Sequence, residues 1–175
     1  NTAPCIAWAA WHIKARNPQA SIMVAPSDHL ILKEDEFRKN ILSGFEFVEK
    51  HDALLTLGIT PNRPETGYGY IQVGNASDTQ GISKVKTFTE KPNLELAKVF
   101  IATGEFFWNS GMFLWSVDSI INAIRNNAPD IAEQFDTMEK GFGTPREMES
   151  IKNNFESCPN ISIDFAVMEK APNVY

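Results

Sequence analysis

Ser21-Ile22-Met23-Val24-Ala25, closed by Pro26, is a short continuous run of apolar and small residues, the pattern of a strand buried in a parallel sheet. Before it, Asn1 can cap a helix whose apolar residues Ile6, Ala9, Ala10 and Ile13 keep helical spacing until Asn17-Pro18 stops it. After it, residues 34–50 carry Phe37, Ile41, Leu42, Phe45 and Val48 at helical offsets, and residues 53–58 repeat the buried-strand pattern. Two helix–strand alternations in fewer than sixty residues predict a layered α/β fold.

The texture then changes. Residues 60–69 concentrate Pro61, Pro64, Gly67 and Gly69, which argues for a shaped loop. Residues 68–73 and 82–88 read as strands joined by a polar turn, 93–103 as a helix and 112–115 as a further strand. From Val117 the chain reads as mostly helical, with breaks at Pro129, at 141–145 and around Cys158-Pro159. No repeat, linker or low-complexity segment divides it, so a single domain over residues 1–175 is expected. Asn1 runs straight into a helix and Asn173-Val174-Tyr175 reads as the start of a strand, so both ends are expected to be cuts through a larger domain.

With 175 residues, 43% hydrophobic and 22% charged, the composition is that of a globular domain able to bury a core. A formal charge of −6 offers no general attraction for polyanions, which argues against nucleic acid and anionic membrane as partners. Cys5 and Cys158 have no metal-ligand spacing and read as ordinary thiols. No run approaches the roughly 18 apolar residues of a membrane span and no signal-peptide pattern is present, so cytoplasmic localisation is expected.

Four clusters could carry chemistry. Asp28, in Ser27-Asp28-His29, follows a strand directly, where open α/β sheets place ligands, and one carboxylate there suits half of a Mg²⁺ site; the alternative is a turn cap. The loop from Thr60 to Tyr70 has glycines that let a ligand approach the backbone, or is a rigid turn with Arg63 and Glu65 paired in solvent. Glu90-Lys91-Pro92 ends a strand with a carboxylate for hydroxyls beside an ammonium for phosphate, or with a solvated ion pair. Asn109, set among Phe106, Phe107, Trp108, Met112 and Phe113, must satisfy its amide with a ligand hydroxyl or with neighbouring backbone. No Gly-x-Ser-x-Gly, His-Glu-x-x-His or Gly-x-Gly-x-x-Gly motif supports a hydrolase or dehydrogenase reading.

Taken in order, Asn1-Thr2-Ala3-Pro4, Pro26-Ser27-Asp28-His29, Pro64-Glu65-Thr66-Gly67-Tyr68-Gly69-Tyr70-Ile71, Phe88-Thr89-Glu90-Lys91-Pro92, Trp108-Asn109-Ser110-Gly111-Met112-Phe113 and Ser162-Ile163-Asp164-Phe165-Ala166-Val167-Met168-Glu169-Lys170-Ala171 resemble the mannose-1-phosphate guanylyltransferases. Each motif is weak alone; their order and spacing span the chain. The resemblance implies a Rossmann-like nucleotide-diphospho-sugar transferase fold, with a mixed, mostly parallel sheet flanked by helices. It also implies transfer of GMP from GTP to mannose 1-phosphate, Mg²⁺-assisted and in line, giving GDP-mannose and pyrophosphate. By similarity, Asn1 and Thr2 lie near guanine or ribose, Asp28 holds Mg²⁺, and Gly67 and Tyr68 line the sugar pocket. Glu90 binds sugar hydroxyls, Lys91 the sugar phosphate and Asn109 the mannose, and Asp164 belongs at the sugar end. Asp28 and Lys91 are thereby the residues closest to the chemistry.

Two of the family's features are absent from these residues: an initial strand with a glycine-rich triphosphate loop, and a later Trp-Ser-Asp-x-Gly segment resembling the second metal ligand. The expectation is that the N-terminal strand and the C-terminal part of the fold are missing and that the 175 residues alone are inactive. A truncated sheet with open edges is expected to pair between copies, as a homo-oligomer, or aggregate. Two other readings stay open: a related hexose-1-phosphate nucleotidyltransferase with another base or sugar, and a non-catalytic sugar-phosphate binding module of the same fold.

Overall fold

A computed structural model describes residues 1–175, the side chains of Glu139 and Asn153 excepted. The element order is α1 (Thr2–Arg16), β1 (Ser21–Val24), α2 (Glu34–Lys50), β2 (Leu54–Ile59), β3 (Tyr70–Ala76), β4 (Ser83–Thr89), α3 (Leu94–Thr103), β5 (Phe106–Ser116), α4 (Val117–Asn127), α5 (Pro129–Thr137) and α6 (Glu147–Asn154), followed by a π-helical turn, Asp164–Met168. The strands form one sheet in the order β1-β5-β3-β4, with β2 also pairing with β5. The chain divides into two compact units, Met23–Leu114 with Asn173–Tyr175, and Asn1–Ile22 with Trp115–Pro172.

In the first of these units, α2 lays Ile41, Phe47 and Val48 against Ala53, Leu55, Ile82 and Leu114. The helical spacing of the sequence thus finds its partner, although Leu42, expected on that face, is exposed and Gly44 stands there instead. Gly44 permits close packing: a Cβ on it would lie 3.3 Å from Leu114 Cδ2. A second cluster joins Ala97 and Phe100 of α3 to Tyr70, Phe106 and Trp108, with the Phe100 and Phe106 rings stacked at 3.9 Å. Asn93 caps α3 by accepting from the Leu96 N–H at 2.9 Å, and Gly104 ends it in the left-handed region at φ 71°.

The sheet departs from the mostly parallel arrangement expected. β3 is antiparallel to β4 and also to β5. The reason is local: residues 77–82 are too short a link for a parallel crossover, so β3 and β4 must turn back on each other. A parallel bridge does join Leu54 to Val174, so Asn173-Val174-Tyr175 pairs as a strand would. β5 is eleven residues long, where only its second half was legible, because Asn109, Ser110 and Gly111 are poor strand formers. Its burial alternates as far as Met112 and is continuous from there to Trp115, a change of pattern that follows the left-handed Gly111 at φ 72°.

In the other unit, α1 buries Ala3, Ile6, Ala7, Ala10 and Trp11; Ala9, assigned to that face from spacing, is exposed. Trp11 meets Phe135 of α5 at 5.7 Å, and Ile120, Ile121 and Ile124 of α4 and Ile131 of α5 are buried as well. Asp136 accepts from Arg125 through both oxygens, at 2.6 and 3.1 Å, and from Trp11 Nε1 at 3.0 Å. These charge-assisted bonds hold its carboxyl below the ordinary range, against the effect of burial. β1, expected to be buried, is half-buried along its length.

Candidate functional site

Register builds the site. Tyr70 pairs with Thr89 on β4 and with Trp108 on β5, both antiparallel, so the preceding residue, Gly69, lies level with Glu90 on one side and Asn109 on the other. The Asn109 N–H donates to the Gly69 carbonyl at 2.8 Å. A Cβ on Gly69 would stand 2.6 Å from Glu90 Oε2, 3.4 Å from Asn109 Cβ and 3.7 Å from its side-chain nitrogen. Three of the motifs singled out in the sequence therefore meet at one point, around a glycine whose missing side chain leaves the room. Gly69 itself is buried and Glu90 half-buried.

Asn109 is held from below. Its Oδ1 accepts from Thr56 Oγ1 at 3.2 Å and from the Gly111 N–H at 3.1 Å, so neighbouring groups orient the amide. Thr56 was not read as a site residue. Its signal was one hydroxyl in the otherwise apolar strand Leu54-Leu55-Thr56-Leu57.

The loop before β3 is organised around Glu65. Its Oε1 accepts from the Thr66 and Gly67 N–H groups at 3.1 and 3.2 Å, and its Oε2 accepts from Arg63 Nε at 3.2 Å. The Gly67 amide, set against partial desolvation, and then Arg63 and the Thr66 amide hold this carboxyl below its ordinary range. Arg63 also lies 5.3 Å over the Trp108 ring, which Tyr68 meets edge-on at 5.3 Å. Gly67 and Tyr68 are thus exposed at the rim of a fixed loop, two residues and one residue before Gly69.

Lys91 is the one non-glycine residue with positive φ among the described residues, at 44°. Such a backbone costs about 1–2 kcal/mol in a residue with a Cβ. Its ammonium stands 3.4 Å from Glu90 Oε1 and is largely exposed, available to an anion reaching Glu90. Asp28 lies in the exposed turn after β1. Two residues earlier, Pro26 Cγ lies 3.5 Å from where a Cβ on Gly111 would sit, which sets this segment against the same strand as Asn109. Among the described residues no three His, Cys, Asp or Glu side chains gather as a metal cluster. An exposed carboxylate oxygen is nevertheless the hard donor that Mg²⁺ takes, and one carboxylate with water and phosphate oxygens is a common set, so Asp28 fits as a single protein ligand.

The remaining candidates belong to the other unit. Asn1 Oδ1 accepts from the Thr2 N–H at 2.8 Å, and Thr2 Oγ1 accepts from the Ile163 N–H at 2.9 Å, next to Asp164 at the start of the π turn. Thr2 and Asp164 therefore share one corner, where Thr2 already has a structural bond.

The family of nucleotidyl transferases matches residues 1–142. A mannose-1-phosphate guanylyltransferase of Escherichia coli is 40% identical over 97% of this chain and 38% of its own length. The alginate biosynthesis protein AlgA of Pseudomonas aeruginosa is 36% identical over 97% of the chain and 36% of its own length. A crystal structure of mannose-1-phosphate geranyltransferase from Thermus thermophilus superposes with a TM-score of 0.86 at 27% identity, over 99% of this chain and 48% of that one. The chain thus has an α/β nucleotide-sugar transferase fold and spans well under half the length of the two sequence relatives.

Proposed function

This chain belongs to the nucleotidyl transferase family, and we propose that in the whole protein it binds the sugar phosphate for transfer of GMP from GTP to mannose 1-phosphate. The observation that carries the reading is the meeting of Glu90 and Asn109 over the side-chain-free Gly69. A carboxylate accepts from hydroxyls and the Asn109 amide nitrogen donates to them, its oxygen being bonded to Thr56 and Gly111, which suits a polyol, and the neighbouring Lys91 supplies a point charge for its phosphate.

In the reaction, an oxygen of the sugar phosphate forms a bond to the α-phosphorus of the nucleoside triphosphate. The bond from that phosphorus to the bridging oxygen breaks in line, and pyrophosphate leaves with the electron pair. No covalent enzyme intermediate is needed, so the residues act by positioning and by neutralising charge. Glu90 and Asn109 fix the sugar, Gly67 and Tyr68 wall it, and Lys91 steadies the attacking phosphate. Asp28 would hold Mg²⁺, which when bound neutralises phosphate charge. Asn1, Thr2 and Asp164 carry no step in this reading; Thr2 already accepts from the Ile163 N–H and shares one corner of its unit with Asp164.

The test is to incubate the whole protein and Mg²⁺ with mannose 1-phosphate and, separately, GTP, ATP, UTP or dTTP. GDP-mannose with stoichiometric pyrophosphate is expected from GTP. Product from another nucleotide alone would overturn the assignment of the base, and no pyrophosphate with any of the four would overturn the transferase reading.

A further inference from the structure

We infer that the Tyr70 hydroxyl, through Glu65, is the positioning group that fixes the wall of the sugar pocket, a reading that rests on the assignment of Gly67 and Tyr68 to that pocket. The Tyr70 hydroxyl accepts from the Glu65 N–H at 3.0 Å and donates to the Glu65 carbonyl at 2.9 Å. One phenol thus satisfies both backbone groups of a loop residue five positions earlier. The ring is fully buried against Phe100 and beside Trp108, so the anchor point belongs to the core. From that fixed residue the Glu65 carboxylate reaches forward to the Thr66 and Gly67 amides and back to Arg63. Every peptide from Glu65 to Gly67 is therefore tied, directly or through one side chain, to a buried ring on β3.

Tyr70 touches none of Gly69, Glu90 or Asn109 through its hydroxyl, so it is a positioning residue. Its removal should be felt as loss of preorganisation at the sugar and nowhere else. Tyr70→Phe keeps the buried ring and deletes only the anchor; Glu65→Gln keeps the backbone anchor and weakens the forward bonds.

The experiment uses the whole protein with mannose 1-phosphate and GTP, with amide hydrogen exchange at Thr66 and Gly67 as a second readout. For Tyr70→Phe we expect KM for the sugar phosphate to rise about tenfold, KM for GTP to stay within about twofold, and exchange at both amides to quicken about tenfold, the loss of two modest hydrogen bonds. Glu65→Gln should give a smaller change in the same direction. Unchanged KM for the sugar phosphate and unchanged exchange in Tyr70→Phe would overturn the inference, as would equal rises in both KM values. A wild-type protein without transferase activity would instead overturn the proposed function, leaving the exchange result to decide whether Tyr70 anchors the loop.

Discussion

Gly69 and Glu90 occupy adjoining space so closely that a Cβ on the glycine would come within 2.6 Å of the carboxylate Oε2. The contact is with the tip of a flexible side chain, so in a Gly69→Ala variant Glu90 should swing aside. Function should then suffer more than stability. KM for the sugar phosphate is expected to rise about tenfold while Tm moves by no more than about 3 °C, checked by steady-state kinetics beside thermal denaturation.

Lys91 combines a left-handed backbone with the ammonium assigned to the phosphate, and two variants separate the roles. Lys91→Ala and Lys91→Gly should both lose about a hundredfold in turnover, because neither carries the charge. Lys91→Gly should be about 1 kcal/mol more stable than Lys91→Ala in chemical denaturation, since glycine adopts φ 44° freely.

Asp28→Asn keeps the turn after β1 and removes the anionic ligand. Mg²⁺-dependent turnover of the whole protein should fall by more than about a hundredfold, with the folded state unchanged by circular dichroism. An unaltered rate would remove Asp28 from the metal site.

Glu147 predicts acid sensitivity at α6. Burial works against its charge, but Trp8 Nε1 and the Gly143 N–H donate to it and His12 Nδ1 lies 2.6 Å away, so its carboxyl sits below the ordinary value of 4.5. A depressed folded pKa gives stability that is present above 4.5 and lost as pH falls through the folded value. Thermal denaturation between about pH 6 and pH 3 should therefore fall less steeply for Glu147→Gln than for wild type.

How much of this was legible beforehand differs by element. α2 was predicted at its observed limits because its apolar residues keep the period of a helix over seventeen positions. The first half of β5 was hidden because Asn109, Ser110 and Gly111 have low strand propensity. The polar turn that joins β3 to β4 is legible in the sequence, whereas the antiparallel pairing of β3 with β5 is not, because a strand's own residues do not name its second neighbour. The site motifs were visible as separate clusters. Their meeting at Gly69 depends on register across three strands, and the supporting bonds of Thr56 and Tyr70 depend on contacts that spacing does not encode.

The most direct test of the central claim, that Glu90 and Asn109 hold the sugar over Gly69, is calorimetric titration of mannose 1-phosphate into the whole protein, wild type against Glu90→Ala. The account predicts saturable binding that weakens at least about tenfold in the variant while GTP binds both with the same affinity. Equal affinity of the two proteins for mannose 1-phosphate would contradict it.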